Sequence, residues 1–121
     1  MTYKTYAQVI RSADENPFEL FKAQWLLMPD CESIAGWDPA NLDHDVDILR
    51  QVYDIVHRPM AEIRSSAGLT QQGLADRFAI PIRTVQNWES RNSCPVYVRL
   101  LIQQELGIVD LTTMLGVASP F

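Results

Sequence analysis

The sequence predicts an all-α protein. Apolar residues recur at three- and four-residue intervals along most of the chain. Prolines 17, 59, 81 and 95 each stand where one such run begins, and Gly68 and Gly107 stand where runs end. Proline is tolerated in the first turn of a helix, where its missing N–H has no partner to lose, and glycine accepts the left-handed conformation that closes a helix.

Tyr6, Val9, Ile10 and Ala13 predict a helix over Thr5 to Ala13. Asn16 as N-cap and Pro17 as first helical residue open a second, whose Phe18, Leu20, Phe21, Trp25 and Met28 carry it to about Leu27. Pro29 to Leu42, with two prolines, Gly36 and several acids, reads as loop, anchored by Ile34 and Trp37. A third helix runs from Asp43 or Asp45 to about His57 on an apolar face of Val46, Leu49, Tyr53 and Val56, and its acidic start suits the positive end of the helix dipole.

Pro59 breaks that helix and opens the next, over residues 60–67, with Met60, Ile63 and Ala67 on one side and Gly68 at its C-cap. Thr70 caps a helix carrying Leu74, Ala75 and Phe78. Pro81 opens one carrying Val85 and Trp88, and Pro95 starts a last one with Val98, Leu101, Ile102 and Leu106. The tail from Ile108 is apolar and short, open to either a small helix or a strand.

The chain has 121 residues, 47% of them hydrophobic and 21% charged, which allows one core or two very small ones. No run approaches the ~20 apolar residues of a membrane span, and the early acids Asp14, Glu15 and Glu19 do not suit a signal peptide. A cytoplasmic protein with two reduced thiols, Cys31 and Cys94, is the expectation. The net charge of −5 is unevenly spread: residues 1–58 hold five basic side chains against ten acidic ones, while residues 59–121 hold five arginines against five acids. That division predicts an acidic helical extension over 1–58, a second domain over 59–107 and a tail over 108–121.

The stretch from Met60 to Gly107 resembles the Cro-repressor (XRE) helix-turn-helix family. The residues that carry the resemblance are Ile63-Arg64, Ala67-Gly68-Leu69-Thr70-Gln71, Leu74-Ala75, Ile80-Pro81, Thr84-Val85, Trp88-Glu89 and Pro95, in that order and spacing. The resemblance implies a lambda-repressor-like helix-turn-helix bundle, here with an N-terminal helical extension, that puts one helix into the major groove of DNA as a dimer on an inverted repeat. It also implies a structural pair between Arg64 and Glu89. Ala75, small where helices cross, and Val85 and Trp88 read as core.

By motif position, the resemblance assigns base edges to Ile82, Arg83, Gln86 and Asn87. Arg83 suits guanine bidentately, Gln86 or Asn87 suits adenine, and Ile82 a thymine methyl. Gln71 and Thr84 match phosphate-contacting positions, with Arg91 the remaining cation for the backbone. The plainer alternative is a solvated polar face on a helix kept as scaffold. Three departures from the family stand out: Gly73 inside a helix, at a cost of ~0.5–1 kcal/mol; Ala79 at the usual turn glycine; and Ser90-Arg91-Asn92-Ser93 where glycine and basic residues are usual. With so few cations, dimerisation becomes close to required.

Elsewhere the chemistry is sparse. Asp43-His44-Asp45-Val46-Asp47 fails as a calcium loop, because Ile48 stands where glycine makes the turn, and reads as an acidic helix start. No nucleophile–base arrangement or phosphate-binding glycine loop stands out, so neither an enzyme nor a cofactor or metal is expected. The expected function is a sequence-specific transcriptional regulator, a repressor-like dimer on double-stranded DNA and associated with the nucleoid when bound. The alternatives are an antitoxin-like or inhibitor protein whose acidic N-terminal half engages a basic protein partner, and an acidic mimic of nucleic acid. For the N-terminal aromatics Tyr3, Tyr6, Phe18, Phe21, Trp25 and Trp37, a dimer or partner surface and a plain core are both open.

Overall fold

The computed structural model describes residues 1–117, and every regular element among them is helical. In order these are α1 (Tyr3–Glu15), α2 (Phe18–Leu26), a 3-10 turn (Pro29–Ser33), α3 (Leu42–Val56), α4 (Met60–Ser66), α5 (Gln71–Phe78), α6 (Ile82–Arg91), α7 (Val96–Glu105) and α8 (Leu111–Met114). None of them is long and apolar enough to cross a membrane. The chain divides into two compact units: Met1–His57 with the described residues from Asp110 onward, and Arg58–Val109.

In the first unit α1, α2 and α3 pack on one another. Their buried faces carry Val9 and Ala13 from α1, Phe21 and Trp25 from α2, and Leu49, Val52 and Val56 from α3. The start of α1 precedes the predicted one because the Thr2 hydroxyl accepts from the Thr5 N–H at 3.1 Å and fixes the first turn there. The second helix also opens differently. Pro17 is the residue before its first turn, and Asn16 donates its side-chain amide to the Ser12 carbonyl at 2.8 Å, closing α1 instead of capping α2. Asn41, not an aspartate, caps α3, accepting from the His44 N–H at 3.2 Å.

The buried face of α3 runs through Asp45, Ile48, Leu49, Val52, Ile55 and Val56, while Val46 and Tyr53 are only half-buried. Asp45 can be inside because its carboxylate accepts from the Asp38 N–H at 2.8 Å and so ties down the preceding loop. His57, the residue that closes α3, also reaches a second helix. Its Nε2 lies 2.7 Å from the Ala13 carbonyl and its ring 4.2 Å from that of Tyr53, which joins the ends of α1 and α3. Of the N-terminal aromatics, Phe18, Phe21 and Trp25 are core, Tyr6 and Trp37 are half-buried, and Tyr3 is exposed.

Of the residues read as a tail, Ile108 and Val109 stay with the second unit, and the described ones from Asp110 onward return to the first. Asp110 caps α8 through the amides of Thr112 and Thr113, and Leu111 and Leu115 are buried. The Leu115 carbonyl accepts from Ala35, and that of Gly116 from the Met1 ammonium at 2.8 Å. The predicted tail extends to position 121, and its last four positions, 118–121, lie outside the described residues.

The second unit is built on Met60, Ile63, Leu74, Ala75, Val85, Cys94 and Ile102, with Leu69, Phe78, Ile80, Ile82 and Trp88 packed against them. The first helix of this unit closes at Ala67, and Gly68 follows at φ +70°, the left-handed step that a side chain resists. Arg58, Arg99 and Gln103 fasten the other side. Arg58 donates to the fully buried Gln103 carbonyl oxygen at 3.0 Å, and Arg99 donates to the backbone carbonyls of Cys94 and Arg58.

Cys94 is buried, and burial pushes its thiol up to about 11, against the opposing pull of the Arg99 charge. The thiolate is the reactive form. At pH 8, iodoacetamide is therefore expected to modify half-buried Cys31 first, with Cys94 slower by at least about tenfold until denaturant is added. Mass spectrometry of tryptic peptides reads this directly, and equal rates in the native protein would contradict it.

Candidate nucleic-acid interface

The region of interest begins with α5 and α6, joined by Ala79, Ile80 and Pro81. Thr70 starts α5 by accepting from the Gly73 N–H at 2.9 Å. Gly73 lies against that cap: a methyl there would sit 3.2 Å from the Thr70 Oγ1. The helix ends at Ala79, which takes the left-handed conformation at φ 53° without being glycine. Its N–H closes on the Asp76 carbonyl and the following Ile80 N–H on that of Ala75. Pro81 then sets the first turn of α6, where Thr84 and Val85 donate to its carbonyl.

At 3.6 residues per turn, Val85 and Trp88 fall on the inner side of α6. Arg83, Gln86, Asn87 and Ser90 fall on the outer side, and all four are exposed. Ser90 belongs to this stripe although motif position assigns it no role. It stands seven residues after Arg83, so the helical period alone places it there, and its hydroxyl donates to the Asn87 carbonyl at 3.4 Å. Ile82 departs from the group, being half-buried and packed against the core, with little of its side chain left for a base. Arg91 is exposed at the end of α6, which closes on Asn92 in the left-handed region at φ 49°.

Behind this face, Arg64 and Glu89 form a two-pronged pair. The Arg64 Nε donates to Glu89 Oε2 at 3.0 Å and Nη2 to Oε1 at 2.9 Å, while Nη1 donates to the Leu69 carbonyl at 3.0 Å. The side chains are 21% and 10% exposed, so water screens the pair only partly. The hydrogen bonds from Arg64 hold the Glu89 carboxyl below its usual range, against the effect of burial, and a hydrogen bond from Gln71 adds to this. The same pairing raises the Arg64 guanidinium above its usual value. Gln71, half-buried at the start of α5, is thereby tied to the end of α6. Thr84 is half-buried in the first turn of α6.

Charge sorts more sharply by unit than by sequence position. Arg58 belongs with the second unit and Asp110 with the first. Residues 58–109 therefore hold six arginines against Glu62, Asp76, Glu89 and Glu105, a net of +2, which leaves −7 for the remainder of the chain. Three of the four acids of the second unit are turned to other tasks: Glu89 is in its pair, Asp76 accepts from Gln72 at 2.7 Å, and Glu62 lies 3.8 Å from Arg58. Among the described residues Arg83 and Arg91 make no ion pair. The outcome is an exposed stripe of one arginine, two amides and a hydroxyl, backed by a fixed ion pair and, among the described residues, with no carboxylate in ion-pair contact with it. Such groups offer the donors and acceptors that base edges in a major groove require. No protein-family model matches the chain, and neither a curated protein nor a solved structure matches it.

Proposed function

We propose that residues 58–109 form a lambda-repressor-like helix-turn-helix domain of the XRE kind. In this reading the protein is a sequence-specific regulator of transcription that binds double-stranded DNA as a homodimer on an inverted repeat. The observation that carries the reading is the outer face of α6, where Arg83, Gln86 and Asn87 are exposed together and Arg83 makes no ion pair among the described residues. An arginine aimed at guanine and an amide aimed at adenine are the pairings that tell base pairs apart in the major groove. Arg91 and Thr84 then serve the phosphates, and Gln71, fixed by Glu89, presents the start of α5 to the same backbone.

Selection from a random duplex pool, at low and at physiological salt, tests this. A recurrent motif with two related halves supports the reading. Failure to enrich any sequence at either salt overturns it.

A second reading concerns the other unit. Its net charge of −7 and its exposed Leu20 and Leu27, the latter 85% accessible, favour a surface for a basic protein partner, as in an antitoxin-like or inhibitor module. The two readings are compatible, because they use different units.

A further inference from the structure

We infer that the outer face of α2 is a docking surface for an amphipathic, positively charged helix of a partner protein. The inference rests on the second reading above and deepens it, by naming where the first unit meets a basic partner and with what. α2 turns Phe18, Phe21 and Trp25 inward, and all three are buried. At about 100° per residue, its opposite side carries Leu20, Ala23, Gln24 and Leu27. All four are exposed, Leu20 at 48% and Leu27 at 85%. Leu27 keeps to this line because, as the C-cap, it still has right-handed helical backbone. The two leucines stand seven residues apart, so the stripe is about 10 Å long, two turns of helix. Gln24 accepts from the Ser12 hydroxyl at 2.6 Å, which sets α1 along one edge. The neighbouring helices show polar groups to water instead: Gln8, Arg11 and Glu15 on α1, and Asp47, Gln51 and Asp54 on α3. A helix apolar on both sides has a face left over once its core is formed, and an aligned apolar patch of this kind marks an interaction site.

Charge selects the occupant. The unit carries −7, so a second copy or a nucleic acid brings like charge to this face and is repelled. Of the four cations in the unit, Lys22 is held by Glu19 at 2.8 Å and Arg50 lies 3.6 Å from the centre of the Phe18 ring. Asp14 and Glu15, which end α1 just ahead of α2, and Glu32, which follows Leu27 in the chain, are exposed. Among the described residues these three make no ion pair. An apolar stripe with acids before and after it fits a helix that sets leucine-sized side chains at i, i+3 or i+4 and i+7, flanked by lysine or arginine.

Anisotropy of labelled helical peptides about 18 residues long, titrated with the full chain, tests this. One peptide carries leucines along one side and lysines elsewhere, a second has the same composition in scrambled order, and a third has glutamate for lysine. The ordered lysine peptide is expected to bind at ~1–50 μM, the scrambled one at least about tenfold more weakly, and the glutamate peptide not at all. Changing Leu20 and Leu27 together to serine is expected to weaken the ordered peptide at least about tenfold, whereas Leu101→Ser, at an exposed leucine of the second unit, leaves it unchanged. Circular dichroism melts check that each variant stays folded. Unchanged binding by the Leu20→Ser, Leu27→Ser protein overturns the inference, as does a scrambled peptide that binds as tightly as the ordered one. In both cases lysine-peptide binding leaves the basic-partner reading standing. If neither lysine peptide binds, or the glutamate peptide binds as well as the ordered lysine one, the reading and the inference fall together.

Discussion

Glu89→Gln is expected to destabilise the protein by about 2–3 kcal/mol at pH 7, lowering the melting temperature of the second unit by roughly 10 °C. The amide keeps the shape of the side chain but loses the charge that both prongs of the Arg64 guanidinium address, at 3.0 and 2.9 Å. It leaves a mostly covered cation with the Leu69 carbonyl and a single neutral amide oxygen, and sets an amide NH2 donor against the other prong. The pair also joins α4 to the end of α6, so loosening it frees the helix that carries the exposed stripe. The pH dependence has a definite sign. Glu89 is held below its usual value in the folded protein, so its stabilisation is complete above that unfolded value. It is lost as pH falls through the folded one. The gap between wild type and variant in urea melts is therefore expected to be full at pH 7 and to shrink in the acid range below about pH 4.5. Equal stabilities at pH 7 would contradict the structural role of the pair.

Arg83→Ala is expected to weaken binding to a selected duplex by about 5- to 150-fold, the ~1–3 kcal/mol of one good bidentate contact, while stability stays within ~0.5 kcal/mol. The side chain is exposed and makes no ion pair among the described residues, so the fold loses nothing with it. Arg91→Ala provides the contrast. As a phosphate contact it is expected to weaken selected and scrambled duplexes alike and to lower the salt slope by about 1 per copy. Anisotropy titrations of both variants on both duplexes separate the roles. An Arg83→Ala protein that still prefers the selected duplex as strongly as wild type would remove Arg83 from base reading.

Much of the second unit was legible in the sequence because its rules are local. Proline at 59, 81 and 95, Thr70 as a cap and Gly68 past a helix end act within one turn, and apolar spacing placed Ile63, Leu74, Ala75 and Val85 inside. What was not legible depends on distant partners. Asp45 looks like one more acid of a helix start until Asp38 offers its amide, and Arg99 looks like a surface cation until the Cys94 and Arg58 carbonyls face it. The charge division shifted for the same reason. Arg58 and Asp110 lie next to the sequence boundaries, and only the fold decides which unit each one joins. Ile82 carried a base-reading role by motif position, yet the turn at Ala79–Pro81 rolls its apolar side chain toward the core. The exposed stripe itself followed from the helical period, once the inner side of α6 was fixed by Val85 and Trp88.

If the outer face of α6 distinguishes one DNA sequence from another, the full chain must bind its selected duplex more tightly than a scrambled duplex of the same composition. The ratio of those two affinities, taken from about 50 to 200 mM salt, measures that discrimination apart from general attraction to phosphate. A ratio of ~10³ or more is expected, persisting as both affinities fall with salt. A ratio near one throughout the range would contradict a base-reading role for α6.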